Sequence, residues 1–524
     1  MLNRLKIYTP ELFRAACAAA VILCPAMIVA QEFIVPFDDI SRMQMIRDNV
    51  HRQASVHSGI RPVYTTTIED FDRKAALKRD TLRERSWVHR KLFDEHFVVV
   101  DQPGLKFVAD PIFNFGAGGE LVRNGFPERN NNPLYVNTRG IAVSGKLGDA
   151  VYIYTDFTEN QARFPAYLTD FVNEYDVVPG VGRVKPFGEG GFDYSMASGF
   201  IGFNATDWLT MQGGHYKHFV GHGTRSLLLS DNAFNYPFAG YLIRLWGDRI
   251  QLRNNVALMQ SLDRLPLGST PESLFKRKRM SFNYLSIKPL KSLEVGFYEA
   301  VMWQAFEEGR GNLPFDYNAL NPLIFVNTLR LGLDDQDNNA TVGVNAAWQP
   351  LDHFRFYGQY MRDRGGKARG GYQLGLHAYG ILSAIDLTVE YNEAEVGSYA
   401  SANVLQGFTH FNQPLAHPMG SGFSEVLGAI TYYRNKLYAR AEWVHAELTE
   451  GLRDPLLPRD GDPTESARVF YQDYRVAYIF NERNQMQVYA GLTDRHSAAA
   501  GGDTSNRFWY FGLKTRLPRN YRNF

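Results

Sequence analysis

Residues 508–517 read FWYFGLKTRL. Trp509, Phe511, Leu513 and Leu517 share one side of an extended chain, and Tyr510, Gly512, Lys514 and Arg516 share the other. Successive side chains of a strand point to opposite faces, so this alternation predicts a strand with one apolar, aromatic face. The pattern recurs upstream. In 384–392, Ile385, Leu387, Val389 and Tyr391 alternate with Asp386, Thr388 and Glu390. In 436–443, Leu437, Ala439, Ala441 and Trp443 alternate with Lys436, Arg440 and Glu442. Windows 249–258 and 473–480 repeat it, and period two holds from about residue 105 onward.

One such strand fits a soluble sandwich as well as a membrane barrel. The connections separate the two. Very short turns are expected at 147–149, 204–207, 247–248, 289–291, 349–352, 382–383, 434–435 and 481–483. Between them lie long connections, near 117–133, 158–190, 215–238, 261–277, 304–338, 364–370, 395–423, 449–466 and 496–505. Alternating short and long links are the mark of a barrel with tight periplasmic turns and long outer loops. Eight short hairpins give sixteen strands, and one strand near 106–116 and one near 506–517 bring the expected total to about 18. Segment 322–333 also looks strand-like, and even parity places it inside an outer loop. Both ends of the barrel, Phe524 included, then face the periplasm. Aromatic terminal strands resemble the signal read by the outer-membrane barrel assembly machinery.

Composition agrees. The chain has 524 residues, 14% of them aromatic, with 46 Gly and a net charge of +1. A spanning helix needs ~20 apolar residues in a row, and no stretch after the first 30 residues supplies them. The near-neutral charge argues against a nucleic-acid binder. Residues 1–30 read as a signal peptide, with Arg4, Lys6 and Arg14 ahead of an apolar run from Ala15 to Ala30. Both cysteines, Cys17 and Cys24, lie inside it, so a mature chain would have no disulfide or thiolate chemistry. Residues 31–100 form a separate segment, charged and partly helical over 67–94, either periplasmic or plugging the lumen; 101–524 is the barrel.

Two stretches carry unusual chemistry. The run 213–237 contains His215, Tyr216, His218, His222, Arg225, Asp231, Asn232, Asn235 and Tyr236. The three histidines raise metal binding, but no carboxylate spacing of the HExxH kind accompanies them. Ser226 does not sit in a GxSxG elbow, so no nucleophile is marked. The other readings are an ordered loop bonded internally, and carbohydrate contact through rings, amides, carboxylate and guanidinium. Loop 395–423 contributes a second cluster with His410, Phe411, Asn412 and His417, stiffened by Pro414 and Pro418. The expected polysaccharide contacts are His215, Tyr216, His218, Arg225, Asp231, Asn232, Asn235, Tyr236, His410 and Asn412. Charges on the polar face (Arg249, Arg253, Arg355, Asp386, Glu390, Arg440, Glu442, Asp473 and Arg475) pair across the interior or line a pore.

The run GHYKHFVGHGTRSLLLSDNAFNYPF (214–238) resembles the characteristic segment of the Wzi-type capsule-assembly outer-membrane proteins. THFNQPLAHPMGSGFSEVLG (409–428) and NTRGIAVSGKLGDAVYIYTDFTENQARFP (137–165) look most like the branch named for the gliding-motility protein RemB. The resemblance implies an outer-membrane barrel partly filled by an N-terminal helical segment. It implies a non-enzymatic, cofactor-free protein whose partners are membrane lipid and surface polysaccharide, acting in capsule attachment or in motility. A diffusion channel is the alternative reading, and an outer-membrane hydrolase a more distant one.

Overall fold

A computed structural model describes residues 33–35, 38–47, 52, 56–65, 85–127, 132–264, 275–307, 310–330, 338–363, 369–382, 384–401, 403–449, 466–499, 501–518 and 520–524. Eighteen antiparallel strands make the wall. They are β1 (Leu105–Asn124), β2 (Leu134–Leu147), β3 (Val151–Arg163), β4 (Gly191–Asn204), β5 (Leu209–Tyr216), β6 (Tyr236–Leu245), β7 (Ile250–Arg264), β8 (Phe275–Leu290) and β9 (Leu293–Gln304). They continue as β10 (Asn338–Leu351), β11 (Phe354–Asp363), β12 (Arg369–Ile381), β13 (Ile385–Ala394), β14 (Phe423–Arg434), β15 (Leu437–Thr449), β16 (Ser466–Asn481), β17 (Met486–Ala498) and β18 (Thr504–Lys514). Each pairs with its neighbour in sequence, and β18 closes on β1 from Ser505↔Asn124 to Lys514↔Asn114. Closure leaves no edge strand, the condition for crossing a bilayer with strands.

The alternation read from sequence is the alternation between wall faces. On β13, Asp386, Glu390 and Asn392 are buried inward and Val389 is exposed outward. On β14, Glu425, Leu427 and Ala429 point in, while Val426 and Ile430 point out. Exposed aromatics such as Trp208, Trp246, Trp348, Phe354 and Phe356 collect near the short-turn rim, as an interfacial girdle does. No described helix is long and apolar enough to cross a membrane. The chain is therefore an outer-membrane barrel that crosses with strands.

All eight expected short turns join consecutive strands. Their sequences suit the task. Asn435 and Lys436 both take positive φ, 50° and 68°, as a two-residue hairpin of primed type requires. Gly247 (φ 59°) lies between Trp246 and Asp248, which share its left-handed conformation.

Segment 322–333 falls in an outer loop, as parity places it, and its described residues, 322–330, hold the short helix Val326–Arg330 where the sequence looks strand-like. The structure corrects three expectations. Arg249 is not on the inward face but exposed in a short turn. The final strand stops at Lys514, not near 517; Thr515 still bonds Phe113 of β1, and Tyr521, Asn523 and Phe524 are buried inside. Phe524 is accordingly buried inside the barrel rather than placed in the periplasm. Pro518, which lacks an amide donor, and the polar side chains after it suit a segment that leaves the ladder and bonds inside.

The N-terminal segment divides. Helix Asp39–Arg47 and the chain from Val56 to Tyr64 contact inward-facing wall residues near the short-turn end. Helix Trp87–Phe93 and strand Val98–Gln102 instead run along the start of β1 and the end of β16, with Phe93 5.7 Å from Phe480. The rest of the helical expectation over 67–94, through residue 84, lies outside the described residues, as does the signal peptide expected at 1–30.

Candidate functional site

The connection from β5 to β6, residues 217–235, folds down into the lumen. Its Phe219 and Val220 pair antiparallel with Arg61 and Ile60 of the N-terminal segment, and Gly221 N donates to Gly59 O at 2.8 Å. The N-terminal segment is fixed from below. Glu294 accepts from Ser58 N and Gly59 N, and His57 bridges Ser286 Oγ and Asp248 O, each at 2.7 Å. Arg42 donates to His222 O at 2.7 Å, and Arg47 pairs with Asp386.

Arg225 joins three parts of the chain. Its Nη2 donates to Glu425 Oε1 of β14 at 2.7 Å and to Asn523 O at 3.0 Å, and its guanidinium lies 5.2 Å from the Tyr521 ring. Glu390 of β13 accepts from Thr224 N and Arg225 N at 2.7 and 3.0 Å. His417 of loop 395–422 donates from Nε2 to the other oxygen of Glu425 at 2.9 Å, and its Nδ1 accepts from Met419 N. Arg225, Glu425 and His417 are all fully buried. An isolated buried charge is costly, so the close pairing is what permits this arrangement.

The segment 515–524 ascends the lumen beside this joint. Tyr521 Oη donates to Asp231 Oδ1 at 2.6 Å, the Asn523 amide donates to Glu442, and Arg495 Nε donates to Phe524 O at 3.0 Å. Phe524 packs 5.0 Å from Phe171 of the helix Ala166–Tyr175, which follows β3.

The ten expected contact residues divide by depth. His218 N and Nδ1 meet Tyr236 Oη, at 3.1 and 3.2 Å. Asn232 donates to Pro414 O, Asn235 to Ala197 O and Ser198 Oγ, and His410 spans Gln260 N and Asn235 O. Tyr216 packs between Tyr154 and Phe200. These six side chains, with Arg225 and Asp231, are buried. His215 and Asn412 are half-exposed. His215 lies 5.5 Å from Phe234, Phe234 lies 4.8 Å from Phe411, and Asn412 donates to Tyr175 O at 3.2 Å. Phe234 and Phe411 are themselves half-exposed, so a small aromatic and amide platform reaches the long-loop end. Phe234 stands inside the run that drew attention in the sequence, but only the fold sets it beside Phe411.

Burial sets the charge states of these loops. Lys217 is held by the carbonyls of Gly180, Asp231 and Ala233, and burial pushes its ammonium down to about 8. Burial also pushes His410 down to about 3, and His222 to about 3 with Arg355 beside it. Neutral imidazoles therefore hold the loop bonds at pH 7. The Ser226 hydroxyl donates to Val220 O at 2.5 Å and sits fully buried, with no imidazole among its partners in the described residues.

No protein-family model matches this sequence, and no curated protein does. Solved structures do resemble the fold. Wzi of Escherichia coli, a carbohydrate-binding outer-membrane β-barrel involved in Group 1 capsule assembly, is similar at a TM-score of 0.53 and 12% identity, covering 93% of this chain and 100% of its own. OccAB1 of Acinetobacter baumannii is similar at 0.44 and 10%, covering 81% of this chain, and OpdQ of Pseudomonas aeruginosa at 0.42 and 9%, covering 78%. The chain thus has the 18-stranded fold of outer-membrane barrels, and it is like Wzi in fold over nearly its whole length.

Proposed function

We propose that this protein is a non-catalytic surface barrel that binds or organises polysaccharide, in capsule attachment or in gliding motility. One observation carries the reading: inside the lumen, loop 217–235 meets the chain's own N-terminal segment at Phe219 to His222 and the C-terminal residues Tyr521 and Asn523 at Asp231 and Arg225. Such a filling turns the long-loop end into a fixed surface instead of a passage. The likeness in fold to a carbohydrate-binding barrel supports the same direction. Sugar contact is assigned to His215, Asn412 and the rings of Phe234 and Phe411. The buried set of Tyr216, His218, Arg225, Asp231, Asn232, Asn235, Tyr236 and His410 positions these four from beneath. Export by a leader over 1–30, and recognition of β18 by the barrel assembly machinery, belong to this reading.

Binding of purified surface polysaccharide to the folded barrel tests it. The wild type binds, and His215→Ala and Asn412→Ala each weaken binding by about 1 kcal/mol, the size of one lost hydrogen bond. Absence of binding by the wild type overturns the reading. Deleting the gene and scoring polysaccharide retention against spreading separates the capsule role from the motility role.

A further inference from the structure

The outward face of β6–β9 breaks the apolar rule. Tyr241, Asn254, Asn283 and Glu299 form a continuous outward row, paired strand to strand as Tyr241↔Asn254, Asn254↔Asn283 and Asn283↔Glu299. On the same face Asn254 lies between Leu252 and Val256, and Glu299 between Phe297 and Val301. The row therefore sits inside the apolar stripe that faces lipid, where an uncovered carboxylate or amide is costly.

Residues 313–330 cover it. Tyr241 Oη donates to Leu320 O at 2.8 Å, and Asn254 donates to Ala319 O at 3.1 Å. Glu299 accepts from Phe325 N at 2.9 Å, and from Thr328 N and Thr328 Oγ1 at 2.6 Å each. Asn283 links Asn254 to Glu299. The beginning of the covering segment is held by Arg279, which donates to the carbonyls of Leu313 and Pro314. Irregular backbone survives beside lipid only when its polar groups are satisfied by protein. The row does this from below, and the segment's own 3-10 turn at Tyr317–Leu320 and its helix do more of it from within. The far side carries exposed apolar side chains, with Tyr317 79% exposed, Leu323 64% and Leu329 66%, beside Asn318 and the Arg330–Asp316 ion pair, in which the two charges neutralise each other.

We infer that residues 313–330 form a strap lying against the outer wall within the bilayer's outer leaflet, with Leu320, Leu323 and Leu329 contacting lipid acyl chains. The strap is continuous with the apolar belt, and the polar row beneath it fixes its position. Leu320 to Leu329 would be poorly placed in water, since large exposed apolar patches mark interaction surfaces.

The test uses the full chain with Cys17 and Cys24 changed to Ser, reconstituted in phosphatidylcholine vesicles carrying acyl-chain doxyl lipid. A bimane is attached at Leu323→Cys, at the outward wall position Phe356→Cys, or at the exposed Lys185→Cys in the short strand Lys185–Phe187 between β3 and β4. The strap predicts quenching at 323 matching that at 356 and exceeding that at 185. Quenching at 323 no greater than at 185 overturns it. Adding Glu299→Ala is expected to lower quenching at 323 toward the level at 185, while heat-modifiable gel mobility shows the barrel still folded. Unchanged quenching in that folded variant overturns the anchoring role of the polar row.

Discussion

At the scale of single residues, the account turns on charges buried with their partners. Arg225→Ala leaves Glu425 buried with His417 and Asn392 as its remaining hydrogen-bond partners among the described residues. Breaking such a pair costs about 3–5 kcal/mol. The expected outcome is a clearly lower unfolding temperature of the barrel, and an unchanged one would remove Arg225 from the joint. The histidines give a pH dependence. Burial holds His222 and His410 near 3, against an ordinary 6.5. Between those values the unfolded chain takes up protons that the folded chain refuses. Their contribution to stability is therefore complete above 6.5 and declines as pH falls toward 3. Denaturant midpoints measured from neutral pH down to about pH 4 should fall steadily. A flat profile would mean the imidazoles are not buried neutral.

At the scale of elements, period two and turn chemistry made the strands legible. Windows such as 384–392 and turns such as Asn435–Lys436 carry local signals, because each residue's face is set by its immediate neighbours. The strand count followed from the alternation of short and long links. What was not legible depended on distant partners. Residues 515–524 look like the end of a strand, and only Asp231, Glu442 and Arg495 on other elements draw them inward. The helix at 326–330 reads as a strand until Glu299 supplies its amide partners. Of the ten candidate residues eight are buried and two half-exposed, because depth within a barrel is not written in a loop's composition. Deleting residues 515–524 is expected to leave the wall closed, since β18 already pairs with both neighbours. It should also leave Arg225 and Asp231 each short of one partner, and raise conductance above that of the intact chain. Equal conductance would show that the segment does not fill the lumen.

At the scale of the whole molecule, three segments remote in sequence converge inside one wall. Helix Asp39–Arg47 and residues 56–64 lie near the short-turn end, loop 217–235 descends to meet them, and Tyr521 and Asn523 bond to that loop. The long-loop end carries the half-exposed rings, and residues 313–330 lie against the outward face of β6–β9. On the proposed reading, a barrel filled in this way presents a surface and not a passage. Planar-bilayer conductance of the intact protein tests this most directly. The account predicts no steady open state at modest voltage; a large, stable conductance in the wild type would contradict the filled lumen and favour a diffusion channel.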